Sequence, residues 1–317
     1  MKITVVIPAY RVREKVLNVI NEIDSLVDKI IVVDDKCPDG SGKLVESECT
    51  DKRVTVIYNE ENLGVGGAVK AGFLFALKEN ADVVVKLDGD GQMSPHLIKR
   101  LIKPIVNLEA DYAKGNRFYK IDSLNKMPRL RLFGNSMLSL INKFVNGYWN
   151  IMDPTNGFVA IHKNALRLLP LDKIENRYFF ESDMLFRLST IKAVVSDMPM
   201  DAIYEDETSN LSISHTAISF PFKYFNRFVK RIFYNYFLRD FNIATLEIVF
   251  GTLFLLFGVA VGAHFWIRSA FYGILATTGQ VMIATLPILV GFVLLLLAAH
   301  VDVTSVPQKP LSQIDMD

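Results

Sequence analysis

Two aspartates separated by one glycine, Asp88-Gly89-Asp90, are the sharpest chemical feature of the sequence. Two carboxylates on a tight turn, with Gly91 and Gln92 following, can reach a hard divalent cation such as Mg²⁺ or Mn²⁺. Such a cation takes oxygen ligands and is completed by substrate phosphates and water. It would offset the charge of a diphosphate as a bond to that diphosphate breaks. An isolated Asp-x-Asp is commonly just a solvated turn. Here it follows Asp82 to Leu87, a valine-rich run that reads as a buried strand.

The elements upstream decide whether that turn has company. Lys2 to Ile7, Lys29 to Val33 and Arg53 to Tyr58 are also short runs rich in valine and isoleucine, and they read as strands. Helical patterns lie between them, at about Glu14 to Leu26, Gly42 to Cys49 and Gly64 to Lys78. Ser94-Pro95 then supplies a helix cap and first-turn pair. This β-α-β-α order predicts an α/β fold: a doubly wound, mostly parallel sheet with helices on both faces. Ligands of such sheets bind outside the carboxyl ends of the strands. At those ends stand Pro8-Ala9-Tyr10, Asp34-Asp35, Asn59-Glu60 and Asp88 to Gln92, so polar and acidic residues gather along one edge.

Other segments add candidates. The run Asn62 to Ala68 is glycine-rich and opens a helix, where backbone N–H groups favour phosphate, although tight helix-to-sheet packing explains the glycines equally well. Gly64 and Lys70 join the donor-binding set, but Lys70 is not placed for a P-loop. Arg117 follows Lys114-Gly115-Asn116, and Arg129 and Arg131 precede a helix; arginine suits bidentate phosphate contacts, with surface ion pairs as the alternative. Asp153 heads the turn Asp153 to Phe158, and Glu181 and Asp183 open a further helical pattern.

The rest of the chain reads differently. Ile243 to Ala263 carries Glu247 as its only charge, and Val281 to Ala299 carries none. Either run reaches about 30 Å as a helix, the thickness of a bilayer core. The expected organisation is a catalytic domain at 1–215, interfacial amphipathic helices at 216–242, two transmembrane helices within 243–302 and a tail at 303–317. The spans themselves are placed at about 243–265 and 278–300. Lys223, Arg227, Lys230 and Arg231 recur at helical spacing before the first span, which suggests a helix at headgroup level. Only Arg268 lies between the spans, so the positive-inside rule puts the N-terminal domain and the C-terminus in the cytoplasm. With 35 Lys plus Arg against 34 Asp plus Glu, the net charge of +1 argues against nucleic acid as a partner. Cys37 and Cys49 fit two reduced thiols.

As an ordered set, these motifs resemble family 2 glycosyltransferases of the GT-A fold, and more narrowly the polyprenyl-phosphate glycosyltransferases related to dolichol-phosphate mannose synthase. The pieces that carry the resemblance are Val6 to Tyr10, Val33-Asp34-Asp35 with Asp39-Gly40-Ser41, Asn62-Leu63-Gly64 with Gly67, Asp88 to Gln92, Asn116-Arg117-Phe118, and Asp153 through Phe158. They span roughly residues 1 to 210. The resemblance implies that Pro8, Tyr10, Asp35 and Asn59 line a nucleoside pocket. It implies that Asp88, Asp90 and Gln92 hold Mg²⁺ or Mn²⁺ and the diphosphate, and that Arg117 and Arg131 face phosphates. It implies an inverting reaction. The sequence departs from the mannose synthases at Tyr204 to Asn210, which is acidic where they carry a basic acceptor loop, and at Cys37, where serine or glycine is commoner.

The expected activity is therefore transfer of one sugar from a UDP- or GDP-linked donor to a polyprenyl phosphate at the cytoplasmic membrane face. An anionic lipid phosphate needs no protein base, which leaves Asp153 and Asp183 in supporting roles. Transfer to a sugar hydroxyl of a lipid-linked glycan would instead call for a base such as Asp183. The Gln-x-x-Arg-Trp run associated with processive synthases is absent. A non-catalytic membrane scaffold is the alternative of another class, and intact Asp88 and Asp90 count against it. A homo-oligomer is left open.

Overall fold

The computed structural model describes residues 1–119, 129–201 and 213–314, and only the backbone of 129–131 and 213–218. The strands form where the apolar runs are. They are β1 (Ile3–Ala9), β2 (Lys29–Asp34), β3 (Val54–Tyr58), β4 (Val83–Lys86), β5 (Tyr112–Asn116), β6 (Val159–His162) and β7 (Val195–Pro199). They make one sheet in the order β3-β2-β1-β4-β6-β5-β7. The pairs β1–β2, β1–β4, β2–β3 and β5–β7 are parallel, while β6 runs antiparallel to both β4 and β5.

Alternation along β1 shows why helices cover both faces. Val5 and Ile7 pack into a cluster with Val16, Val19 and Ile20 of α1 (Val16–Asn21) and Leu101 and Ile105 of α4 (Ile98–Val106). Val6 points the other way, onto α3 (Val65–Lys78), at a position where Gly72 lets the helix approach. Between these, α2 is Ser41–Glu48. The mostly parallel, doubly wound sheet expected from the sequence is present. The helix expected over Glu14 to Leu26 is shorter: past it, the Asp24 side chain accepts from the Leu26 N–H at 2.9 Å in a turn, and Arg53 donates to the Ile23, Asp24 and Val27 carbonyls. After β5 come α5 (Arg129–Asn146), α6 (Lys163–Leu168), α7 (Phe180–Thr190) and α8 (Ile213–Ile232).

Two residues of the basic stripe of α8 turn inward. Lys223 pairs with Glu175 at 2.8 Å and Arg227 with Asp183 at 2.6 Å, so both are satisfied by acidic partners inside the same unit. Lys230 stays exposed, as do Phe222, Phe225 and Val229.

Residues 229–306 form a second unit. It contains α9 (Ile243–Tyr272) and α10 (Thr278–Thr304), both long and apolar enough to cross a membrane. Capping boxes at Asn242/Thr245 and Thr277/Gln280 fix where each helix begins. Small residues let the two helices meet: a Cβ on Gly291 would lie 2.7 Å from the Gly251 carbonyl oxygen. Just before α9, buried Arg231 donates to Asp302 of α10 at 2.6 Å, and the Tyr236 hydroxyl donates to the same carboxylate at 2.7 Å. Residues 307–314 belong with the first unit, where Leu311 and Ser312 donate their backbone N–H groups to the buried carboxylate of Asp111.

Breaking a buried ion pair from one side leaves an uncompensated charge, at a cost of about 3–5 kcal/mol. Arg231→Met should therefore lower the thermal midpoint of the detergent-solubilised protein clearly. The double variant with Asp302→Leu should recover most of the loss, as read by intrinsic fluorescence during a melt.

Candidate active site

The strand order reverses between β1 and β4, and the crevice beyond their carboxyl ends holds a cavity of about 390 Å³. Pro8, Tyr10, Asp35, Gly64, Asp88 and Asp90 line it, together with Asn62, Arg177 and Tyr178. Six of the sequence candidates thus converge on one crevice.

Each acidic residue at the β2 end has a distinct task. Asp34 accepts from the N–H groups of Cys37 at 2.7 Å and Gly42 at 2.8 Å, so it pins the start of α2. Asp35 lines the cavity while accepting from Asn59 Nδ2 at 2.7 Å and from the N–H groups of Leu63 at 3.0 Å and Gly64 at 2.7 Å. Asn59 therefore acts by holding Asp35. Gly64 has φ +84, and a Cβ there would lie 2.9 Å from the Asn176 carbonyl oxygen. Lys70 does not reach the cavity: its ammonium donates to the Ile174 carbonyl at 2.7 Å, and burial lowers its pKa.

The Asp88-Gly89-Asp90 turn is built around a buried lysine. Lys86 ends β4, is almost fully buried, and donates to both oxygens of Asp88 at 2.9 and 3.2 Å. Glu181, from the first turn of α7, lies 3.7 Å from the same ammonium. Burial opposes the charge on Lys86, yet Asp88 and Glu181 together hold its pKa above the ordinary value. Burial raises the pKa of Glu181, and Lys86 counteracts that shift. The glycine of the Asp153 to Phe158 turn has its reason here. A Cβ on Gly157 would lie 2.3 Å from Lys86 Nζ and 3.1 Å from Asp88 Oδ2. Asp90 Oδ1 accepts from the Gln92 N–H at 3.0 Å, which shapes the turn through Gly91 at φ +80.

The donor set is hard oxygen, which suits Mg²⁺ or Mn²⁺. Among the described residues no group of three or more His, Cys, Asp or Glu side chains converges to hold a metal unaided. Asp88 is moreover shared with Lys86. These residues fit a cation that arrives with, and is completed by, phosphate oxygens.

The remaining candidates sit outside this cavity. Arg117 is clamped by buried Asp153 through Nε at 2.7 Å and Nη2 at 3.0 Å. Asp153 thereby positions the guanidinium. Asp183 is fully buried, accepting from Arg227 Nε at 2.6 Å and from the Glu175 N–H at 3.0 Å. The side chain of Arg131 and the acidic stretch 204–210 lie outside the described residues.

Sequence reasoning missed three residues at the site. Lys86 was legible as a lone charge inside a valine strand. Arg177 lines the cavity and makes no ion pair among the described residues, but nothing in its local sequence marks it. Tyr178 lines both this cavity and a second, apolar groove of about 890 Å³, as does Val65. The groove runs between α5 and α8, walled by Leu138, Val145, Phe220, Tyr224 and Phe228, with Glu181 among its few polar residues.

A family model described as glycosyl transferase family 2 matches residues 4–169. The chain belongs to that family. Among its relatives is the UDP-N-acetylglucosamine–dolichyl-phosphate N-acetylglucosaminyltransferase of Methanococcus voltae, 30% identical over 71% of this chain and 94% of that one. Another is the undecaprenyl-phosphate mannosyltransferase of Micrococcus luteus, 30% identical over 63% of this chain and 83% of that one. The fold is shared with glucosyl-3-phosphoglycerate synthase of Mycobacterium tuberculosis, solved with UDP, at a TM-score of 0.53 and 17% identity over 73% of this chain and 79% of that one. The same enzyme has been solved with Mn²⁺ and UDP, at a TM-score of 0.52.

On β7, burial pushes the Asp197 carboxyl up to about 6. Its Oδ1 is buried without a partner, while Asn116 Nδ2 donates to Oδ2 at 3.0 Å. A carboxyl raised in the fold binds its proton more tightly there than in the unfolded chain. Its favourable contribution is complete below about pH 4 and lost as pH rises through about 6. Asp197→Asn should remove that loss. Denaturant melts should show the variant gaining on the wild type between pH 4 and pH 7, by on the order of 2 kcal/mol.

Proposed function

We propose that the chain is an inverting membrane glycosyltransferase that moves one sugar from a UDP- or GDP-linked donor to a polyprenyl phosphate at the cytoplasmic membrane face. The observation that carries this reading is the pair of cavities sharing Val65 and Tyr178: a polar one with Asp35, Asp88 and Asp90, and an apolar one between α5 and α8. A nucleotide-sugar suits the first and an isoprenoid chain the second, so the reacting groups would meet near Tyr178. The relatives from Methanococcus voltae and Micrococcus luteus, whose names specify dolichyl and undecaprenyl phosphate, support the same acceptor class.

The chemistry follows from charge. An oxygen of the acceptor phosphate attacks the anomeric carbon, and the bond from that carbon to the nucleoside diphosphate breaks with its electron pair on the leaving oxygen. The acceptor is already anionic, so no protein base has to take a proton. A divalent cation bound with the donor would offset the charge on the leaving diphosphate. Asp35 would hold the nucleoside. Arg177 is placed to take a donor phosphate, while Arg117, oriented by Asp153, and Arg131 would counter repulsion between the two phosphate groups. Transfer to a sugar hydroxyl is less well supported, because both oxygens of Asp183 are occupied and the residue is sealed from either cavity. The orientation with both chain ends in the cytoplasm rests on Lys223, Arg227, Lys230, Arg231 and Arg239 before the first span against Arg268 alone, in the last turns of α9, at the far end.

Radiolabel transfer in detergent from a panel of nucleotide-sugars to short polyprenyl phosphates should be stimulated by Mn²⁺ or Mg²⁺. It should fall at least about 100-fold in Asp90→Ala. Retained transfer in that variant would defeat the assignment. Arg177→Gln should weaken binding of the matching nucleoside diphosphate by about 10-fold or more in calorimetry, since hydrogen bonds to charged groups contribute roughly 1.5–3 kcal/mol. Unchanged affinity would remove Arg177 from the donor site.

A further inference from the structure

The start of α3 offers two features suited by sequence to a donor phosphate: the glycine run from Gly64 and the ammonium of Lys70. In the fold both are turned to another partner, residues 174–177, which run from the turn at Leu171–Lys173 to α7. A Cβ on Gly66 would lie 2.5 Å from the Glu175 carbonyl oxygen and 2.9 Å from that of Asn176, so glycine here serves close approach of backbone. The Gly67 N–H donates to the Asn176 carbonyl at 3.0 Å, and Lys70 holds the Ile174 carbonyl. Leu63 and Gly64 donate to Asp35, so protein acceptors take N–H groups at this helix end as well. A phosphate in the polar cavity then calls for positive charge from elsewhere, and the same segment brings it.

The far side of the segment is held by carboxylates. The Glu175 N–H donates to Asp183 Oδ2 at 3.0 Å, and Asp183 Oδ1 accepts from Arg227 Nε of α8 at 2.6 Å. Asp183 is fully buried, where such bonds are electrostatically stronger than in water. The Glu175 carboxylate meets Lys223 at 2.8 Å and Arg227 at 3.6 Å, both also on α8. Exposed ion pairs add little to stability by themselves, but these fix where a backbone segment runs. Residues 174, 175 and 176 are thus each anchored. Arg177 comes next. Its carbonyl accepts the Phe180 N–H at 2.8 Å as α7 begins, and its exposed side chain lines the polar cavity beside Tyr178.

We propose that Glu175 and Asp183 are positioning residues for the donor: together they clamp residues 174–177 between α3 and α8, and so set where the Arg177 guanidinium enters the polar cavity. This rests on the reading of that cavity as the nucleotide-sugar site, and it gives Asp183 a task other than that of a base. Neither carboxylate lines the cavity, so both act through Arg177. A guanidinium on an anchored backbone gives up less freedom when it meets a diphosphate, which strengthens binding without a new contact. The seating of α8 and the affinity for the donor are thereby linked.

The test is calorimetry on the full chain in detergent with Mn²⁺, titrating UDP and GDP and following whichever nucleotide the wild type binds. Glu175→Gln and Asp183→Asn should each weaken that binding about 5-fold or more, and neither should weaken it by more than about 2-fold once Arg177→Gln is present. Unchanged affinity in Glu175→Gln, with binding weakened by Arg177→Gln alone, would overturn the proposal. So would a full further loss in the double variants, which would mean a general structural role. Glu175 is only partly buried, so its variant decides the matter if Asp183→Asn fails to fold, as a thermal melt would reveal. In transfer assays Glu175→Gln should raise the KM for the donor and leave that for the acceptor unchanged; a fall in kcat alone would count against the proposal. No effect of Arg177→Gln would also overturn it. If Asp90→Ala likewise binds the nucleotide as tightly as the wild type, the donor reading of the cavity falls too, and the two failures are told apart.

Discussion

The buried ammonium of Lys86 is the constraint on which the site depends. It ends a strand whose preceding residues are all valine, so it cannot reach water and must be paired where it stands. Asp88 supplies the near carboxylate and Glu181 a second one. That demand ties β4, the Asp88-Gly89-Asp90 turn and α7 to one point. It also leaves no room for a side chain at residue 157, which explains the glycine in a turn far along the chain. Asp88 is thus preoriented before any ligand arrives. A cation at this turn would find one carboxylate already shared, and phosphate oxygens would have to complete its shell.

A second organising feature is economy of contact between polar and apolar space. Val65 and Tyr178 belong to both cavities, and Glu181 reaches the apolar groove while its carboxylate faces Lys86. The helix that opens at Val65 owes its placement to Asp35, which grips the N–H groups of Leu63 and Gly64. One carboxylate therefore lines the polar cavity and sets the boundary between the two. The groove's other wall is held by charge: Arg227 and Lys223 of α8 are drawn onto Asp183 and Glu175. Ion pairing on the inner face leaves aromatic residues on the outer one.

The sequence by itself determined the sheet, its acidic edge and the apolar helices. Strand identity follows from runs of β-branched residues, and the carboxyl ends of a doubly wound sheet are a fixed address for ligands. Pro8, Tyr10, Asp35, Gly64, Asp88 and Asp90 were legible because they sit at those ends or open the next helix. The start of α10, which the uncharged run before it left open, is set by the local capping pattern of Thr277 and Gln280. All of these signals are carried by residues within a few positions of one another.

Only the tertiary structure decided which charges face which. Lys70, Lys223, Arg227 and Asp183 looked available because spacing records a residue's face but not its partner. Their partners are Ile174, Glu175 and Asp183, distant in sequence from the lysines and arginines they satisfy. Arg177 reached the polar cavity, and Lys86 met Glu181, through packing of segments about 90 residues or more apart along the chain. The antiparallel β6 strand, which places Gly157 against Lys86, is likewise a matter of long-range pairing. Burial turns a charge into an obligation to find an opposite one, and the fold alone determines where that opposite charge lies.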